Sequence, residues 1–436
     1  MKFQSYLRIA AFSVLGMTAH TWAQSDYMPP MSGGANPWPA AIVTAWQVQG
    51  EYFGSQVQDP SVHLGAWLAS TGGANYGLVV LPGGLMSMPG QPYGGWDNST
   101  RYQGTAGPVT GALSGTTFRV TTSTGGFASD SITGTGESRT MYVHNTNGTS
   151  YVLQRVKRHS PTLGLKLSQV SSLPGATGGV SLFDSSTGTA DLTKWAASEN
   201  APSIKYNLLF RGIKSVQSFG RTFMHIEFLS CFNPTATNQG RANSGIYQQG
   251  RYETQVLDSF GQNPGIDQYG SIYSIKAPPF NAELPPQVTY QTYDVYFTPR
   301  TSGASGSTTG SAYFTVYANG VKVQDSALAT TTTTASYVSL GTNDQPIYLQ
   351  NHGNEIAFAN IWVVPNATPA SLPYADILAA TGTTAINHSY LITPFSKRYE
   401  NILGFNGDFS LLGRKVRHNG KTLTIQPTVL YNPQQH

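Results

Sequence analysis

Apolar and polar residues alternate in short runs along most of the chain, and Gly, Asn or Pro closes nearly every run. Alternation with period two is the signature of half-buried strands, because successive side chains on a strand point to opposite faces. YGLVVLPGGL (76–85) predicts a strand ending in a glycine turn, and TFRVTTSTGG (117–126) predicts another. SRTMYVHNTNGTSYVLQRV (138–156) predicts a hairpin folded at Asn147-Gly148, a dipeptide suited to both central positions of a tight turn. AAIVTAWQVQG (40–50) reads as a short helix or strand. Together these runs predict a small, open β-rich accessory region over 24–175.

A denser series follows over 179–365. It comprises GVSLFD, IKYNLLF, RTFMHIEFLSCF, NSGIYQQGRYETQVLDSF, YQTYDVYFTP, AYFTVYANGVKVQD, PIYLQNHG and IAFANIWVVP. Many short strands without a long helical period predict an all-β, antiparallel sandwich or barrel. Asn319-Gly320 marks one hairpin, and Asn419-Gly420 marks another in a C-terminal extension, 366–436. The Ser/Gly-rich stretch at 302–311 and the Thr run at 330–334 read as loops without chemistry.

Parity then sorts the polar groups. In TFMHIEFL, Met224, Ile226 and Phe228 form the core face, leaving Phe223, His225 and Glu227 on the other. Read as one strand, YQQGRYETQV puts Tyr247, Gln249, Arg251, Glu253 and Gln255 on one face, where Arg251 is expected to hold the Glu253 carboxylate ionised. In IYLQNHGN, Ile347 and Leu349 turn inward, opposite Gln350, His352 and Asn354. Three polar faces in one sheet would line a groove rich in amides and carboxylates, the groups that bind sugar hydroxyls and move protons.

Composition narrows the class. Of 436 residues only 11% are charged and the net charge is +4, without a Lys/Arg cluster, which argues against a nucleic-acid partner. An aromatic content of 11% excludes general disorder, and the 47 glycines follow no collagen period. Lys2 and Arg8 precede an apolar run over 9–19, and Ala23 lies two positions after Thr21, so 1–23 reads as a signal peptide of a protein bound for the periplasm or the cell exterior. Nothing downstream is apolar enough to span a membrane. Cys231, the only cysteine, permits no internal disulfide and reads as a buried thiol.

The ordered series HIEF, GRANSGIYQQGRYETQVLDSFG, YGSIYSIKAP, QTYDVYFTPR, TVYANGVKVQD and PIYLQNHGNEIAFANIWVVP resembles the 3-keto-disaccharide hydrolase family, also described as 3-keto-glucoside 1,2-lyase/3-keto-2-hydroxy-glucal hydratase. The resemblance implies a concanavalin-A-like/laminin-G-like β-sandwich acting on an oligosaccharide or glycoside whose C3 hydroxyl is already oxidised. It also implies cleavage by β-elimination, hydration or both. Carried onto this chain, the site includes Glu253, Glu227, His352 and Arg241; the chemistry then assigns Glu253 as leading general base with Glu227 competing, His352 as proton donor and Arg241 to the ketone or enolate oxygen. Asn243, Ser244, Tyr247, Gln249, Arg251, Gln255, Asp258 and Asn354 would contact substrate. A divalent metal stays open, since carboxylates and His352 offer ligands without a metal-type spacing. Two positions depart from the family pattern. Phe183-Asp184 is followed by Ser185 instead of Gly, and Asn351 replaces the usual acidic residue before His352. The alternative is a non-catalytic extracellular carbohydrate-binding or matrix protein, because a sandwich serves both roles.

Overall fold

The computed structural model describes residues 40–381, except 73–74, 99–100, 107–119, 123–125, 135–138, 185–190, 201, 203, 206–207, 287–289, 302–309 and 355, together with 415–418 and 421–424. The expected signal peptide, 1–23, lies outside the described residues.

The first unit is a closed antiparallel barrel. Helix α1 (Ala40–Val48) leads into β1 (Gly50–Gln56), β2 (His63–Gly72), β3 (Asn75–Pro82), β4 (Tyr102–Ala106), β5 (Val120–Thr122), β6 (Phe127–Thr133), β7 (Thr140–Asn145) and β8 (Ser150–Val156). Each strand pairs with the next, and β8 returns to β1 with Phe53 opposite Gln154. The open sheet expected from sequence is therefore corrected. Closure leaves no unpaired edge, a pairing that local alternation does not encode. Tyr52, Leu64, Ala66, Leu68, Leu78, Val80, Met141 and Leu153 pack together in the barrel's core with Ile42, Ala45 and Val48 of α1. Residues of opposite parity on β2 and β3, namely Trp67, Val79 and Leu81, join the core of the second unit instead.

That unit is the expected sandwich. Its strands are β9 (Val180–Phe183), β10 (Trp195–Ala197), β11 (Ile204–Lys205), β12 (Leu208–Phe210), β13 (Ile213–Phe219), β14 (Thr222–Ser230), β15 (Ser244–Gln248), β16 (Tyr252–Val256), β17 (Gln291–Thr298), β18 (Ala312–Ala318), β19 (Val321–Ala329), β20 (Gln345–Leu349) and β21 (Ile356–Pro365). The small sheet runs β10-β13-β20-β15-β16. The large sheet runs β11-β12-β21-β14-β17-β18-β19, with β9 also paired to β21. Met224, Ile226 and Phe228 pack between the sheets with Ile246, Tyr252, Val256, Ile347 and Leu349, as parity predicts. Each such side chain, fully removed from water, contributes about 1.5–3 kcal/mol. Cys231 is buried in the same core. Helices α2 (Leu167–Val170) and α3 (Tyr374–Ala380) cover the outer face of the large sheet over Phe223, Tyr296 and Trp362. The C-terminal hairpin forms as β22 (Lys415–His418) paired with β23 (Lys421–Thr424). Among the described residues, no helix is long and apolar enough to cross a membrane.

Candidate functional site

The outer face of the small sheet carries two transverse rows. One runs through register partners Ala196, Lys214, Tyr348, Tyr247 and Glu253, one residue from each of the five strands. The next contains Gly245 opposite Gln255, with Gln350 bonded to the Gly245 carbonyl at 2.9 Å. This face differs from the one expected. YQQGRYETQV is not one strand but a hairpin, turned at Gln249 (φ 55) and Gly250 (φ 60) and closed by Arg251 N–H donating to Gln248 O at 3.1 Å. Tyr247 and Glu253 consequently meet across strands.

Glu253 is 2% exposed. Tyr247 OH donates to its Oε2 at 2.7 Å, and Gln350 Nε2 donates to the Tyr247 oxygen at 3.2 Å. The other carboxylate oxygen lies over Gly245, where a Cβ would come within 2.1 Å of it, so the absent side chain makes room for the carboxyl. Burial pushes the Glu253 pKa up to about 8, against the lowering effect of the Tyr247 bond. Burial and then the Glu253 charge raise the Tyr247 pKa well above that of an ordinary phenol, so it remains a donor.

Arg251 does not pair with Glu253. Having left the pleat at the turn, it donates to Ser339 O, Asn343 O, Asn343 Oδ1 and Gln249 Oε1. Gln249 in turn donates to Phe219 O. Both residues brace the turn and the 339–343 loop. The Thr run, read as an inert loop, bonds to the site backbone: Glu253 N–H donates to Thr333 Oγ1, and Thr333 N–H to Arg251 O.

Amides line the other side. Gln255 Nε2 faces Gln239 Oε1 (3.1 Å), Asn243 Oδ1 (3.5 Å) and Asp267 O (3.3 Å), which fixes its orientation. The Oε1 atoms of Gln255 and Gln350 are buried without a hydrogen-bond partner. Buried acceptors left open are uncommon, and ligand hydroxyls would satisfy them. Asn243 N–H donates to Asn354 Oδ1, and Asn354 Nδ2 donates to Gly240 O. Ser244 Oγ donates to Gln350 O, fixing the strand end. His352 follows β20 on an exposed loop, where Asn351 Oδ1 accepts from Gly353 N–H and Arg211 Nε. Tyr273 adjoins Glu253 through its backbone N–H, which donates to Glu253 O at 3.1 Å. Burial, followed by the Glu253 and Asp267 charges, raises its pKa.

Three expected residues, Arg241, Asp258 and Glu227, lie elsewhere. Arg241 donates to Asp258 Oδ2 (2.7 Å) and to the carbonyls of Ser70, Pro234 and Ala236, tying the sandwich to β2 of the barrel. Its guanidinium and Asp258 belong to that seam, together with Glu283, which burial and then the Asp258 charge hold well above the usual carboxyl range.

Glu227 lies on the opposite outer face, that of the large sheet. Its Oε1 accepts from Gly164 N–H (2.6 Å) and Asn360 Nδ2 (2.8 Å) and faces His225 Nε2 (3.3 Å). Asn360, at φ 43, marks the register shift between β14 and β21 that turns its amide toward Glu227. His225 Nδ1 lies 2.6 Å from Asp294 Oδ1, and Thr162 Oγ1 and Tyr374 OH donate to Asp294 Oδ2. Burial works against the imidazolium, but the two carboxylates outweigh it and bring His225 to about 9. The expected common groove of three strands is thus corrected, because β14 belongs to the other sheet. Among the described residues, no group of three or more His, Cys, Asp or Glu is arranged to hold a metal ion.

Sequence reasoning missed Tyr348 and Tyr273. Tyr348 was available from parity, since it alternates with Ile347 and Leu349; Tyr273 lies in a loop that gives no periodic signal.

Residues 178–364 match the family model of the 3-keto-alpha-glucoside-1,2-lyase-like domain, and the chain belongs to that family. A solved structure of a candidate glycosyl hydrolase from Parabacteroides distasonis ATCC 8503 shares 31% identity, covering 43% of this chain and 84% of that one, with a TM-score of 0.39. Two others, also described as candidate glycosyl hydrolases of that organism, share 14% identity. One covers 41% of this chain and 90% of its own (TM-score 0.28), and the other 43% and 98% (TM-score 0.27). Comparison with curated proteins finds no match.

Proposed function

We propose that the chain is a carbohydrate-degrading enzyme that cleaves glycosides whose C3 hydroxyl has been oxidised to a ketone, with Glu253 as general base. The observation that carries this reading is the Glu253 carboxyl, buried beside the open amide acceptors of Gln255 and Gln350 and raised to about 8. A carboxylate of that basicity suits abstraction of the C2 proton that the neighbouring ketone has acidified. The C2–H electrons enter the C2=C3 enolate. The enolate then reforms the C3 ketone, builds the C1=C2 bond and expels the C1 oxygen substituent, which takes a proton. Water adds across C1=C2, its hydroxyl to C1 and its proton to C2, giving net hydrolysis. The leaving oxygen takes its proton from water, because His352, expected in that role, lies on the exposed loop after β20 at the amide side of the row. Tyr273, adjoining Glu253, is the proposed donor to the enolate oxygen in place of Arg241, whose hydrogen bonds are made elsewhere. The same reading has residues 1–23 removed on export, so that the reaction takes place in the periplasm or outside the cell. Mass spectrometry of the mature N-terminus tests that point.

The test of function is release of aglycone from α- and β-linked 3-keto-glucosides, with and without a divalent metal. Glu253→Gln should lower turnover at least ~10²-fold with folding preserved. Near-wild-type turnover in Glu253→Gln removes Glu253 as base. A wild-type chain that binds glycans but converts none of these substrates is the carbohydrate-binding protein of the alternative reading.

A further inference from the structure

The row that ends at Glu253 continues away from the amides as an aromatic track. Tyr247 packs on Tyr348 with ring centroids 5.2 Å apart, and Tyr348 on Tyr337 at 5.4 Å. The first two rings are buried, whereas Tyr337 is 44% exposed and Leu340, three residues on in the same loop, is exposed as well. Tyr337 is nevertheless held in place. Its N–H and that of Val338 both donate to Gly250 O, at 2.8 and 3.0 Å, and Arg251 Nε holds Ser339 O at 2.8 Å. Lys214 Nζ lies 4.9 Å from the Tyr337 ring centroid and donates to its hydroxyl. Tyr348 OH donates to Glu199 Oε1, which fixes the middle ring. An exposed aromatic ring anchored through backbone and side chain, two rings from a buried carboxyl, is a prepared stacking surface.

The two ends of the row therefore suit different halves of a glycoside. Amides and open acceptors beside Glu253 suit the hydroxyl-bearing sugar, and the aromatic end suits what leaves it. We propose that Tyr337, with Lys214 and Leu340, forms the leaving-group subsite and takes a ring with a flat apolar face, either an aryl group or the C–H face of a second pyranose. This rests on the proposed function for the identity of the group bound there.

The experiment compares 3-keto-glucosides bearing methyl, phenyl or glucosyl leaving groups on wild type, Tyr337→Ala and Tyr337→Phe. The ratio of kcat/KM for a ring-bearing over a methyl leaving group should fall about 5–10-fold in Tyr337→Ala and recover in Tyr337→Phe. A fall confined to phenyl identifies an aryl aglycone, and one confined to glucosyl identifies a disaccharide. An unchanged ratio, in an active enzyme, overturns the subsite alone. Calorimetric binding of unoxidised phenyl and methyl glucosides to the same proteins needs no turnover. If wild type is inert but prefers the phenyl ligand, and Tyr337→Ala loses that preference, the subsite stands and the reaction fails. If the preference is absent from wild type as well, both fail.

Discussion

Replacing Tyr247 by Phe removes one hydroxyl and keeps the ring against Tyr348, so it isolates the bond to Glu253 Oε2. In the wild type that bond is the influence opposing the effect of burial on the Glu253 carboxyl. A hydrogen bond to a charged group contributes about 1.5–3 kcal/mol. Spread over 1.36 kcal/mol per pH unit, its loss should carry the carboxyl from about 8 upward by roughly one to two pH units. The assay is kcat/KM against pH on a 3-keto-glucoside, accompanied by a carbon-13 titration of the labelled carboxyl. Wild-type activity should rise with pH through about 8, because a general base works in its ionised form. In Tyr247→Phe the limb should move to higher pH, with loss of activity at pH 7 and recovery at the alkaline plateau. An unmoved limb would falsify the link between Tyr247 and Glu253. A wild-type rate that falls through pH 8 would make Glu253 a proton donor and overturn its assignment as base.

Glu253→Gln should lose turnover yet resist denaturant better at high pH. A carboxyl whose folded pKa is raised favours the fold below its unfolded value of 4.5 and loses that contribution as pH rises through about 8, on the order of 4 kcal/mol when complete, so urea unfolding at pH 5 and 9 should show the variant gaining on wild type only at pH 9. Gly245→Ala sets a methyl where Glu253 Oε1 lies and should cost at least ~10-fold in turnover with its circular dichroism unchanged; full activity would show that the carboxyl has room elsewhere. Asp294→Asn strips His225 of its nearer carboxylate and should destabilise the protein by roughly 3 kcal/mol at pH 6. Since the raised His225 pKa supports the fold fully below 6.5 and loses that support through about 9, the deficit should shrink at pH 9.5 in the same denaturation assay.

Period-two patterning revealed the sandwich core and the face of β14, because those depend on local parity alone. It did not reveal which sheet a strand joins. Glu227 and Glu253 have the same alternation, yet β14 pairs with β17 and β21 while the β15–β16 hairpin joins β20, and these partners distant in sequence put the two carboxylates on opposite outer faces. The turn at Gln249-Gly250 was illegible for a different reason: Gln rarely adopts the left-handed backbone it takes here, so the dipeptide lacks the Asn-Gly signal that marked 319–320. That misreading also turned Arg251 into a partner of Glu253. Arg241 stands two positions before Asn243 in sequence, but its long side chain reaches Ser70 of the barrel, a contact no local pattern encodes.

The two outer faces of the sandwich show why ionisable residues alone do not define a site. Beneath α3, the carboxylates of Glu227 and Asp294 flank one imidazolium and accept from Gly164, Asn360, Thr162 and Tyr374. The imidazolium faces both carboxylates and the cluster's hydrogen bonds are made within the protein, so any substrate entering would have to break a buried ion cluster, at a cost of several kcal/mol. On the small sheet, Glu253 is buried with Tyr247 as its side-chain donor, and the neighbouring Gln255 and Gln350 acceptors remain open. This arrangement opposes ionisation and stability in the free protein, and a polar ligand would complete it. The first cluster anchors Thr162, Gly164 and α3 to the large sheet. The second leaves its hydrogen-bonding incomplete at the place where a sugar's hydroxyls and an acidified C–H would supply the missing partners.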